Sequence, residues 1–154
     1  MEKTNMGNPF IHIELSTDDV DAAKKFYKAV FDWKLSDTPE MGGYTMLDVG
    51  KGTGGGMTKK QMPQQPTAWL PYVSVTDVKK SLDKARALGA NVVVEYMEIG
   101  DMGAIGVLVD PTGAGIGLWE MAKPAKKAAA PKKKAAAPKK KAAASKKKPA
   151  KKKK

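Results

Sequence analysis

Phe10-Ile11-His12-Ile13-Glu14-Leu15-Ser16-Thr17-Asp18-Asp19-Val20 reads as a strand, a turn and the start of a helix within eleven residues. Ile11, Ile13 and Leu15 alternate with Phe10, His12 and Glu14, the two-residue period of a strand with one apolar face. The opposite face carries the only histidine of the chain. Thr17 and Asp18 can accept hydrogen bonds from the free N–H groups of a following helix. Val20, Ala23, Phe26, Tyr27 and Val30 then recur at helical spacing. That helix should cover the Ile11/Ile13/Leu15 face, so His12 and Glu14 should look into whatever the sheet encloses.

The pattern recurs 58 residues later, with Tyr72-Val73-Ser74-Val75-Thr76-Asp77-Val78 repeating the strand, the capping residues and the Asp-Val helix start. Leu82, Ala85 and Leu88 continue the second apolar stripe up to Gly89. Short strand-like runs follow each helix: Trp33 to Leu35, Tyr44 to Val49 and Gly55 to Thr58 in the first copy, and Asn91 to Tyr96, Ala104 to Val109 and Gly115 to Trp119 in the second. Each unit is therefore strand, helix and three strands, and an internal repeat of this size means two packed copies of one supersecondary unit.

These residues resemble the vicinal oxygen chelate superfamily, which includes glyoxalase I, bleomycin-resistance proteins and extradiol dioxygenases. The likeness is carried by His12, by Asp19 through Phe26-Tyr27, by Phe31-Asp32-Trp33, by Val109-Asp110-Pro111-Thr112-Gly113 and by Ile116-Gly117-Leu118-Trp119-Glu120. It spans about residues 8 to 121. It implies an α+β fold of two βαβββ modules, about 8–60 and 67–121, forming a curved sheet around a cleft. In the family's enzymes a divalent metal is held there by residues on the first and last strands of the modules. On this chain those positions fall at His12, at Leu70, at Gly117, and at Gly56, Met57 or Thr58. One of the four offers a donor, and a lone imidazole does not hold a catalytic metal. Alternation places Glu120 on the face opposite Gly117, so His12, Glu14 and Glu120 form a ligand set only with a register slip or bulge. The expected cofactor is none, with a divalent metal on His12 and Glu120 as the less favoured case.

The same alternation lines the cleft with Phe10, His12 and Glu14 from one module and Leu70, Tyr72 and Trp119 from the other. Aromatic and apolar walls carrying a few polar groups suit a small organic ligand. The competing explanation is that Tyr72 and Trp119 simply fill the core between modules. Gly50-Lys51-Gly52-Thr53-Gly54-Gly55 formally satisfies G-x-G-x-x-G, but it leads into a short strand and reads as a hairpin loop, without the helix a phosphate cradle needs. Met62 to Thr67 reads as a linker between modules and Glu95 to Met102 as a loop at the cleft mouth. A serine hydrolase is excluded by the absence of any nucleophile elbow.

The formal charge of +12 conceals two unlike segments. Residues 123–154 hold 16 of the 28 basic residues and no acid, which leaves 12 basic against all 16 acidic residues in 1–122, a net −4. About 120 residues suffice for one core, so both modules should share one domain, 1–122. The chain has no cysteine, which rules out disulfides and thiolate metal sites. No apolar run approaches membrane-spanning length, and no secretory signal is evident in Met1 to Asn8, so a cytoplasmic location is expected.

From Ala128 the chain repeats Ala-Ala-Ala-Pro-Lys-Lys-Lys, then repeats it again with Ser145 in the proline's place. Pro131, Pro138 and Pro149 interrupt any helix, and dense like charge with only alanine, proline and serine between the lysines cannot build a core, so 123–154 should be a disordered tail. It resembles the tails of linker histones and bacterial histone-like proteins. Lys132, Lys133, Lys134, Lys139, Lys140, Lys141, Lys146, Lys147, Lys148, Lys151, Lys152, Lys153 and Lys154 would contact phosphates and release counterions without reading sequence. The expected partners are thus a small organic molecule and, through the tail, nucleic acid, with nucleoid association and homodimer formation as further expectations. The leading function is a metal-free, ligand-binding cleft tethered to nucleic acid. The alternatives are a metal-dependent lyase or dioxygenase, and an accessory DNA-binding protein of the histone-like kind.

Overall fold

A computed structural model describes residues 7–123 of the 154-residue chain. The lysine-rich segment from residue 124 on, with every phosphate-contacting lysine named above, lies outside the described residues. In chain order the elements are β1 (Phe10–Thr17), α1 (Val20–Val30), β2 (Lys34–Thr38), β3 (Tyr44–Asp48), β4 (Gly55–Lys59), β5 (Ala68–Val75), α2 (Val78–Ala87), β6 (Asn91–Ile99), β7 (Gly103–Val109) and β8 (Gly115–Met121). The α+β class and the strand-helix-three-strand units are those the repeat predicts.

All eight strands form one mixed, curved sheet in the order β2-β3-β4-β1-β5-β8-β7-β6. Each module closes on itself through a parallel pair, β1 with β4 and β5 with β8. The modules join where β1 and β5 pair antiparallel, with His12 opposite Tyr72, Ile13 opposite Pro71 and Glu14 opposite Leu70. At the 58-residue repeat offset Ile13 corresponds to Pro71, so the local two-fold passes through that pair.

Both helices cover the same face. On β5, Trp69 packs into the α1 cluster of Leu15, Leu47 and Met57, while Val75 packs into the α2 cluster of Val78, Leu82, Leu108 and Leu118. Residues 69 and 75 share parity, so they share a side of the strand. The opposite side is left as the cleft. Gly106 lets α2 come close to β7, because a Cβ there would stand 2.8 Å from Leu82 Cδ1.

Three local differences from the sequence reading have physical reasons. Helix α1 begins at Val20, so Asp19, not Thr17 or Asp18, is its cap, with its carboxylate accepting the Ala22 N–H at 2.8 Å. Glu95 to Ile99 continue β6 because they pair with β7 through Ile99 opposite Gly103, leaving only a short 3-10 turn at Gly100–Met102. β2 extends to Thr38 because its whole length pairs with β3, Lys34 opposite Asp48 through Thr38 opposite Tyr44.

Leu82 is 2% exposed at the centre of the α2 cluster. Replacing it with alanine deletes buried methyl groups and leaves a cavity, so Leu82→Ala should lower the unfolding free energy by about 2–5 kcal/mol in a denaturant titration.

Candidate functional site

Between the core positions of each strand lie the residues that face the cleft. On β1 these are His12 and Glu14. The paired strands add Leu70 and Tyr72 from β5, Gly56 from β4, and Gly117 from β8, all in register with them. Met46 stands opposite Gly56, so β3 presents Tyr44 and Met46 to the cleft and buries Thr45 and Leu47 on the helix side.

The two glycines decide what fills this face. A Cβ at Gly56 would overlap the phenol of Tyr44, and one at Gly117 would overlap the ring of Tyr72. Each tyrosine therefore lies across a missing side chain. The outcome is a ring cluster around the single imidazole: His12 is 5.4 Å from Trp119, 5.9 Å from Tyr72 and 6.3 Å from Tyr44, centroid to centroid. Tyr72 and Trp119 meet edge to face at 6.0 Å, an arrangement aromatic quadrupoles favour.

A polar chain runs through the rings. His12 Nε2 and the Tyr44 hydroxyl lie 2.7 Å apart, and the same hydroxyl hydrogen-bonds Glu14. The phenol has one proton and an ionised carboxylate only accepts, so with Glu14 ionised Tyr44 donates to Glu14 and accepts from His12 Nε2–H. Burial lowers the His12 pKa, which keeps the imidazole neutral at pH 7. Burial raises the Glu14 pKa, and the Tyr44 hydrogen bond offsets only part of that. Burial and then the charge of Glu14 push both Tyr44 and Tyr72 far up, so each remains a phenol.

Of the six cleft residues read from the sequence, the structure brings His12, Tyr72 and Trp119 into ring contact, with Glu14 joined through Tyr44. Leu70 stands opposite Glu14 and is partly buried. Phe10 stands apart: the β1–β5 register shifts between Phe10 and His12, and its side chain is 56% exposed. Glu120, weighed as a metal ligand, points to the helix side, where its carboxylate accepts the Val78 N–H at 3.0 Å and caps α2. The β5–β8 register, with Tyr72 opposite Gly117, has no slip that would turn it round. Tyr44 was missed by the sequence reading, although β3 itself was found; its parity with Met46, against Thr45 and Leu47, was the available signal.

The residues do not fit the divalent metal that the resemblance implies. His12 is the one donor at the family's positions, and tyrosine rings take the space beside Gly56 and Gly117. Among the described residues no group of three His, Asp or Glu side chains converges. The larger surface hollows, about 370 and 470 Å³, lie along α1 around Lys24 and Asp37. Those two side chains are already ion-paired at 3.1 Å, so volume there does not mark the chemistry.

Residues 10–50 match a family model described as bleomycin resistance protein-like N-terminal. CFP32 of Mycobacterium bovis, provisionally named a glyoxylase, is 35% identical over 114 residues, covering 70% of this chain and 44% of that protein. The chain thus spans under half the length of that relative. Among solved structures, BH1468 of Bacillus halodurans C-125 aligns with a TM-score of 0.57 at 14% identity, covering 78% of this chain and 99% of that one. Methylmalonyl-CoA epimerase of Mycobacterium tuberculosis aligns at 0.53 and 17% identity, covering 74% and 88%. At these identities the structural likeness is one of fold.

Because its native pKa is raised, Glu14 binds a proton more tightly in the folded than in the unfolded chain. Its contribution is therefore most favourable at low pH and is lost as pH rises through the raised value. Glu14→Gln should melt at a higher temperature than the parent at pH 7, and the difference should close as pH falls below the ordinary glutamate value of 4.5.

Proposed function

From a chain with the paired-module fold of the vicinal oxygen chelate superfamily, we propose a protein that binds a small organic molecule in its cleft without a metal. The supporting observation is the pair of glycines, Gly56 and Gly117, over which Tyr44 and Tyr72 lie, making an aromatic face around His12 where the family's metal ligands would stand. Such a cluster offers inclined ring surfaces with few polar groups, which suits small organic ligands. The lysine-rich segment then serves as a nonspecific anchor on nucleic acid, through phosphate contacts and counterion release.

A second reading, an enzyme acting by proton transfer, draws on the hydrogen-bonded chain His12–Tyr44–Glu14. The names of two similar proteins, a glyoxylase and an epimerase, accord with it. The binding reading is preferred because tyrosine rings take the space beside Gly56 and Gly117, where the superfamily's enzymes carry metal ligands.

The test is a thermal-shift screen of chelator-treated full-length protein against uncharged, cationic and anionic aromatic compounds. Binding to the folded state raises the melting temperature. We expect stabilisation by at least one class without added metal, and its loss in Trp119→Ala. Stabilisation that appears only after adding a divalent metal would overturn the metal-free reading.

For the anchor, duplex-DNA binding of the full chain should fall with salt at a log–log slope of about −0.9 per phosphate neutralised. Replacing the tail lysines with glutamine should abolish it. Binding that survives that replacement would place the nucleic-acid surface elsewhere.

A further inference from the structure

At the edge of the α1 cluster, on the side of the sheet away from the cleft, lies an apolar hollow of about 120 Å³. Ile13, Trp33, Leu47, Val49 and Trp69 form its walls. No charged side chain lines it, whereas both larger hollows along α1 carry lysines and aspartates. Thr53 contributes the one side-chain hydroxyl, which already donates to the Phe10 carbonyl at 3.2 Å.

The two modules differ at this place. Glu14 stands opposite Gly56, and Tyr72, its counterpart at the 58-residue offset, stands opposite Gly117, so Gly55 corresponds to Ile116. Ile116 packs against the α2 cluster, while Gly55 lines the hollow and brings no side chain. The strand pairing keeps it so, since a Cβ on Gly55 would overlap the Ile13 carbonyl. What the second module fills with isoleucine, the first leaves open.

The aromatic walls are held in place before any ligand arrives. Trp33 and Trp69 stand at 87° with centroids 6.2 Å apart, which makes a corner of two indoles. Tyr27 braces both, its ring stacking on Trp33 at 5.6 Å and its hydroxyl accepting the Trp69 indole N–H at 3.0 Å. Both indoles nevertheless remain partly exposed. A preformed site costs little ordering on binding.

We propose that this hollow is a second binding site, separate from the cleft, for an uncharged aromatic molecule of one ring. A dry apolar cavity of about 150 Å³ takes up benzene, so this volume limits the guest to that size. Perpendicular indoles offer such a ring one face and one edge, the contacts that aromatic quadrupoles favour. An aromatic acid would have to bring its carboxylate against walls that carry no charge, and is disfavoured.

The test is nuclear magnetic resonance of the nitrogen-15-labelled full chain, following the tryptophan indole N–H signals during titration with toluene and with benzoate. The chain has three tryptophans, of which Trp33 and Trp69 line the hollow and Trp119 stands beside His12. Trp119→Phe removes one signal and so identifies it. We expect toluene to shift the Trp33 and Trp69 signals saturably, in the parent and in Trp119→Phe alike, and benzoate to bind there at least about tenfold more weakly. Val49→Phe adds bulk at the wall of the hollow and should abolish those shifts. Toluene shifts confined to Trp119, or no saturable shift at all, would overturn the site, and the parent protein decides this even where a variant does not fold. Undiminished toluene binding in a folded Val49→Phe would also overturn it, and equal binding of toluene and benzoate would overturn the selection for an uncharged guest.

Discussion

The antiparallel pairing of β1 with β5 is the constraint on which the rest depends. Each module presents one helix-covered face and one open face, and neither could bury enough surface alone. Pairing through the Ile13–Pro71 axis merges them into a single sheet, so that one core side is shared by both helices and one open side becomes a cleft with walls from both modules. A one-residue slip of this pairing would turn His12 and Glu14 into the core and Ile13 into the cleft. The hydrophobic alternation in β1 and β5 prevents that slip, and the local two-fold is the result.

That register also decides what the cleft can do. The symmetry pairs unlike residues, His12 with Leu70 and Glu14 with Tyr72, so two modules of the same shape enclose an asymmetric site. At the last strands of the two modules, glycine replaces a side chain, and a tyrosine from the neighbouring strand moves into the space at each place. The substitution is coupled. A residue larger than glycine at 56 or 117 would force out the tyrosine, and losing the tyrosine would leave an empty groove. Gly56 with Tyr44, and Gly117 with Tyr72, are therefore best regarded as single units of the cleft.

Much of this was legible in one sequence because the deciding patterns are local. The strand alternation at Phe10 to Leu15, the repeated Asp-Val helix starts and the 58-residue offset specify both modules, and parity alone placed Glu120 off the cleft. What could not be read was the partner of each group across the sheet. Glu120 looked like a solvated strand end because its acceptor role depends on the N-terminus of α2, 42 residues away. Tyr44 was missed because its place beside His12 comes from the β3–β4 register, and register across a hairpin with a glycine-rich loop is not set by the local pattern. Glu95 to Ile99 looked like a loop because their polarity is that of a strand with one exposed face.

The electrostatics of the cleft follow from these placements. A carboxylate taken partly out of water needs positive charge, a proton or hydrogen bonds. Glu14 stands opposite Leu70 and Gly56, neither of which bears charge, and the one imidazole is held neutral by burial. Tyr44 supplies a hydrogen bond, which offsets some of the desolvation but adds no charge. The part left uncompensated is localised on one side chain, on the side of the sheet away from the helices.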